Sequence, residues 1–135
     1  GLEIPDEYVS VAAYRNTDRT YEETIRLLKL KERPTCILYP DDFAAFGGMS
    51  AIRARGLSIP DDISVAGYDG IRLATHAVPK LTTLHQDTYL LGHKAAEKLI
   101  YLIEHPKTAV CDISIVEGEV FEGQTVKDIN KDTSR

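Results

Sequence analysis

Three aspartates and one basic loop carry the chemistry this sequence offers. Asp69 follows the run Ile63-Ser64-Val65-Ala66-Gly67, which is entered through Pro60, Asp61 and Asp62 and left through Tyr68, Asp69 and Gly70. Turn formers outside and β-branched residues inside predict a buried strand. An acid at the carboxyl end of such a strand stands where open α/β sheets place their ligands. Asp41 and Asp42 follow a second apolar run, Cys36 to Tyr39, and Tyr14, Arg15 and Asn16 follow a third at residues 8–13. Polar groups at three successive strand ends predict a pocket along one sheet edge. Asp42 suits the N-cap of the next helix, which leaves Asp41 free to face that pocket. Plainer roles stand beside these: a second cap for Asp41, a turn acid beside Gly70 for Asp69, and a solvated loop charge for Arg15.

Other chemistry is thinly represented. No GxSxG, HExxH, P-loop or GxGxxG pattern occurs. His76, His85, His93 and His105 fall in loops or on a polar helix face. The acids and Lys80 invite comparison with a phospho-accepting receiver, but there the lysine precedes its proline, whereas here Pro79 precedes Lys80. Cys36 and Cys111 lie in apolar runs and are expected as buried, reduced thiols rather than a disulfide. Neither has a nearby Cys or His partner, so no metal is expected, and no cofactor or catalytic residue is assigned.

The 135 residues, 43% hydrophobic and 27% charged, suit a domain with a real core. A net charge of -5 argues that these residues do not grip a phosphate backbone, so any DNA contact falls to another segment. No apolar run approaches the roughly 20 residues of a membrane span. No basic and apolar leader opens the chain, and Gly1 reads as a start in mid-fold.

The elements that must position the acids follow from spacing. Gly1, Leu2, Ile4 and Pro5 look like the exit of a preceding helix. Residues 8–13 are expected as a strand; Thr20 with Glu23 fits a capping box ahead of Tyr21, Ile25, Leu28 and Leu30 at helical spacing. Residues 36–39 form a buried strand, then 43–55 a helix with Phe46, Met49 and Ile52 inward and Gly56 as its C-cap. The Gly47-Gly48 pair within that helix implies close packing against a strand. A loop spans residues 68–80, followed by extended LTTL. Asp87 caps a helix with Leu91, Ala95, Leu99, Leu102 and Ile103 in one stripe. Strands are expected at 109–116 and 119–126, joined by Glu117 and Gly118, before a frayed polar tail.

The stretch PTCILYPDDFAAFGGMSAIRARGLSIPDDISVAGYDG, followed by PKLTTLHQDTYLLGHKAAEKL, resembles the carboxyl-terminal part of a lac-repressor (LacI/GalR) family regulator. The resemblance is strongest over residues 34–105 and weaker over 1–33 and the last strands. It implies an α/β fold of the periplasmic-binding-protein-like type I, three-layered, with a mostly parallel sheet and flanking helices, truncated to the last two-fifths to half of such a protein. It further implies two lobes closing on a small sugar or polyol effector, and a separate domain on operator DNA. Asp69 matches the family's ligand-contacting Asp, and Arg15, with Tyr14 beside it, lies near a contact from the preceding loop. Asp41 stands where the family usually has a ligand-contacting Asn. An ionised Asp only accepts hydrogen bonds, so acceptors at 41 and 69 favour hydroxyl-rich ligands over anions. A second departure is Gly123, two residues before Thr125, where the family often has Arg.

By the same resemblance, residues 1–84 belong to the second lobe, 85–117 form a crossover helix and strand of the first lobe, 118–126 return to the second, and 127–135 form a flexible tail. Leu91, Ala95, Leu99, Leu102 and Ile103 then lack their lobe, and a homodimer or exchange of elements between copies is expected. The implied setting is the cytoplasm, with no membrane partner and no enzymatic activity. An extracytoplasmic sugar-binding protein of a transporter is the alternative on the same fold, and a doubly wound enzyme a more distant one.

Overall fold

The computed structural model describes residues 3–11, 14–107, 110 and 112–129. Among these residues four strands form one sheet in chain order: β1 (Cys36–Leu38), β2 (Ser64–Asp69), β3 (Thr82–His85) and β4 (Glu119–Phe121). The first three run parallel, with Ile37 beside Val65 and Ala66 beside Thr82; β4 runs antiparallel, placing Val120 beside Leu84. The helices are α1 (Thr17–Leu27), α2 (Asp42–Ala54) and α3 (Thr88–Glu104). This is the mixed α/β architecture the alternating pattern implies.

The core forms where α2 lies on the sheet. Ile52 of α2, Val65 of β2, and Ile63 and Leu81 just ahead of β2 and β3 are completely buried, joined by Met49, Ala44, Ala45, Leu27 of α1 and Ala74. Each large side chain so buried contributes about 1.5–3 kcal/mol. Of the residues expected inward on α2, Met49 and Ile52 are buried and Phe46 is half-buried. The glycine pair is explained by close approach: Gly47 abuts the Thr17 backbone of α1, and Gly48 the ring of Tyr39, which directly follows β1 and still bonds to Ala66 of β2. Tyr39 is itself buried and shares a 2.9 Å hydrogen bond with the Thr24 hydroxyl.

Several expected elements differ. Residues 9–11 form no strand, and Asp6–Tyr8 is a single 3-10 turn; Ala12 and Ala13, like Gly1 and Leu2, lie outside the described residues. The Glu7 and Val9 carbonyls accept from the Arg26 guanidinium at 3.0 and 3.1 Å, so side chains take acceptors a strand would offer its neighbour. The Thr20–Glu23 box does not form either. α1 starts a turn earlier, where the Asn16 side chain accepts from the Arg19 N–H at 2.9 Å, while Glu23 is held by Arg19 and Arg26.

β1 is an edge strand rather than a buried one: Cys36 is exposed, and so is Leu38. Cys111 lies outside the described residues. The loop after β2 contains a 3-10 turn at Arg72–Thr75. α3 is capped by Asp87 as expected, its carboxylate accepting from the Leu90 N–H at 2.8 Å, but it buries no residue. Residues 110 and 112–116 form no strand; residues 109 and 111 lie outside the described residues. β4 stops at Phe121 because the chain then crosses the starts of β3 and β2. There the Thr125 hydroxyl accepts from the Thr82 N–H at 2.9 Å and donates to the Val65 carbonyl at 2.6 Å. That fully buried threonine anchors the tail without an arginine at 123. Residues 130–135 of the tail lie outside the described residues.

Candidate functional site

β2 ends at Asp69, and the backbone there is unusual. Among the described residues two non-glycines have positive φ, Arg15 at 56° and Asp69 at 106°, and they face the same depression. A non-glycine residue at such an angle is strained and needs its surroundings to hold it. Asp69 Oδ1 accepts from the Gln86 side-chain amide at 2.9 Å, and Oδ2 from the Tyr14 hydroxyl at 3.3 Å. Gln86 also donates its backbone N–H to the Asp69 carbonyl at 3.2 Å.

The turn at Tyr14 and Arg15 comes over the carboxyl ends of β1 and β2. The Arg15 guanidinium lies 5.4 Å from the centre of the Tyr14 ring and 5.0 Å from that of Phe43, a cation–π arrangement. The Arg15 backbone N–H donates to Asp41 Oδ2 at 3.3 Å.

The two adjacent acids exchange the roles expected of them. Asp41, not Asp42, is the N-cap of α2: its backbone is extended and its Oδ1 accepts from the Ala44 N–H at 2.9 Å. Asp41 is completely buried, has both oxygens engaged by backbone N–H groups, and does not line the depression that holds Asp69. Its carboxylate is therefore not the free acceptor anticipated beside Asp69. Asp42 instead turns inward. Its Oδ1 accepts from the Thr83 hydroxyl at 2.6 Å and its Oδ2 from the Ile71 N–H at 2.8 Å. Burial pushes the Asp42 carboxyl above its ordinary value, and nearby Asp69 adds to this, while the Thr83, Ile71 and Gly70 hydrogen bonds act against it.

The depression has a volume of about 400 Å³ and is lined by Tyr14, Arg15, Asp69, Gly70, Ile71, Arg72, His85, Gln86 and Thr88. A neighbouring one of about 460 Å³ continues past Arg72 and His85 to Glu119 and Phe121 of β4. Of the expected site residues, the structure brings Tyr14, Arg15 and Asp69 together and sets Asp41 beneath them. Gln86, His85 and Arg72 were not anticipated. Gln86 follows β3 directly, so the strand-end reasoning that selects Asp69 selects it too. The lining offers hydrogen-bond donors on Tyr14, Arg15, Arg72 and Gln86 and one carboxylate, that of Asp69. Among the described residues no group of His, Cys, Asp or Glu is arranged to hold a metal, and no helix is long and apolar enough to cross a membrane.

Residues 1–126 match the family model of a periplasmic binding protein-like domain. The chain is 35% identical over 128 residues to the HTH-type transcriptional repressor PurR of Mannheimia succiniciproducens, covering 95% of this chain and 38% of the relative. It thus spans about two-fifths of that protein's length. The fold superposes on the lac repressor dimer bound to operator and an anti-inducer with a TM-score of 0.73 at 32% identity, over 79% of this chain and 37% of that one. A transcriptional regulator CelR–cellobiose complex shares the fold with a TM-score of 0.84 at 24% identity, over 92% and 37% of the two chains. The chain belongs to the periplasmic binding protein-like domain family, as a part of the effector domain of the LacI/GalR group.

Proposed function

We propose that this chain is part of the effector-binding domain of a cytoplasmic DNA-binding transcriptional regulator, and that its ligand is a hydroxyl-rich small molecule, a sugar or polyol. The observation that carries the reading is Asp69: a carboxylate at a strand's end, in a strained backbone, with an exposed tyrosine as a long, replaceable donor on one oxygen. A ligand hydroxyl that took the place of Tyr14 would gain a charge-assisted hydrogen bond. Tyr14 and Arg15 flank it, and Asp41 acts beneath them by holding the Arg15 backbone. Residues 1–84 and 118–126 belong, in this reading, to one lobe, and 85–117 to the other; closure of the lobes over the ligand alters the affinity of a separate domain for operator DNA, in a homodimer. The PurR relative, a repressor, supports the regulatory side.

The test is calorimetric titration of the full-length protein with a panel of neutral sugars and polyols, in wild type and Asp69→Asn. A sugar bound by the wild type and weakened about tenfold or more by Asp69→Asn supports the proposal. Equal affinity in both proteins removes Asp69 from the site, and a panel without a binder rejects the sugar reading.

A further inference from the structure

We propose that Asp42 and Thr83 are positioning residues that hold the Asp69 carboxylate in place through the two peptide groups that follow it; the functional weight of this rests on the reading of Asp69 as the ligand's acceptor. The connection is continuous. The Gly70 N–H donates to the Thr83 hydroxyl at 3.2 Å, and that hydroxyl donates to Asp42 Oδ1 at 2.6 Å. The Ile71 N–H donates to the other oxygen, Oδ2, at 2.8 Å. Both amides after the strained residue are thus gathered onto one carboxylate, directly or through one hydroxyl.

Three elements meet there: the first turn of α2 supplies Asp42, β3 supplies Thr83, and the turn after β2 supplies the two amides. Asp42 is completely buried and Thr83 nearly so, so neither competes with water for its partners. A strained backbone persists only where its surroundings over-determine it. At Asp69 the carboxylate's own bonds to Gln86 and Tyr14 fix the side chain, and the Asp42–Thr83 pair fixes the backbone behind it. Asp42 lines neither depression, and Thr83, though nearly buried, lines the neighbouring one, so the direct readout is the state of the Asp69 carboxylate with no ligand present.

Thr83→Val keeps the shape and removes the hydroxyl; Thr83→Ser keeps the hydroxyl. Carboxyl footprinting of the full-length protein with a carbodiimide and glycine ethyl ester reads the modification rate of Asp69 by mass spectrometry, with no ligand present. The rate is expected to rise about threefold or more in Thr83→Val, as the carboxylate leaves its partners, and to stay at the wild-type value in Thr83→Ser. Should Thr83→Val not fold by circular dichroism, Thr83→Ala is read the same way. An unchanged Asp69 rate in the folded variant, or an equal rise in Thr83→Ser, overturns the proposal. Because no sugar is used, this outcome is separate from the Asp69→Asn titration. For any sugar that titration identifies, affinity should fall in Thr83→Val and recover in Thr83→Ser.

Discussion

Gly67 lies where the carboxylate of Asp42 passes β2: a Cβ built on Gly67 would overlap Asp42 Oδ1 and stand 3.1 Å from Leu81 Cδ2. The lack of a side chain at 67 is what lets an acid on α2 reach Thr83 on β3. Gly67→Ala is therefore expected to destabilise the protein by about 1–3 kcal/mol through overpacking. In an Asp42→Ser background the same substitution should have a smaller effect, because the overlapping oxygen is gone. Urea unfolding of the four proteins checks this, and additive losses would separate Gly67 from Asp42.

The buried carboxylate also sets a pH dependence. Burial raises the Asp42 carboxyl in the folded protein, so its stabilising contribution is full below the ordinary carboxyl range and is lost as pH rises through the raised value. Asp42→Asn does not titrate. The deficit of this variant relative to wild type should shrink as pH increases from about 4 to 7. Glu23, lowered by its hydrogen bonds to Arg26 and Ser10, acts in the opposite sense but is common to both proteins. Unfolding midpoints measured across that range decide the matter; a deficit that widens with pH contradicts the assignment.

How far the sequence carried this picture depends on the distance over which each feature is determined. Asp69 was legible because a strand followed by a Gly-Tyr-Asp-Gly exit is a local pattern, and so was the Asp87 cap, with its helix immediately behind it. The roles of Asp41 and Asp42 were not, since adjacent acids before a helix differ by one residue in register. Which one caps is decided by Thr83 and Ile71, 41 and 29 residues away in the chain. Within the stretch expected as a strand, residues 9–11 have β-prone composition but form none, and Arg26 reaches back to occupy the carbonyl of Val9 as well as that of Glu7 just ahead of it.

The α1–α2 contact offers a second overpacking site. A Cβ on Gly48 would overlap the Tyr39 hydroxyl and ring, and Tyr39 cannot swing aside because it is buried and tied to Thr24. Gly48→Ala is expected to lower stability by about 1–3 kcal/mol despite alanine's better helix propensity. Combined with Tyr39→Leu, it should do less harm than the sum of the two single changes. Thermal melting of the three variants tests this, and a neutral Gly48→Ala would show that the ring has room to move.

α3 makes the strongest statement about association. No residue of this 17-residue helix is buried, and Leu99, Ile100 and Ile103 are 58%, 56% and 68% exposed. Leu91, on the same expected stripe, is 37% exposed. At about 1.5–3 kcal/mol for each large apolar side chain taken out of water, such a face gains from any apolar surface it meets. In a solution of this chain alone, the surface available is the same face of another copy. Self-association is therefore expected, with an apparent mass in light scattering that rises with concentration. Leu99→Lys together with Ile103→Lys should restore the mass of a single chain. The melting temperature at low concentration should stay nearly unchanged, because these side chains add little to the chain's own core. A monodisperse monomer at high concentration, with the wild-type helix intact by circular dichroism, would show that α3 does not drive association.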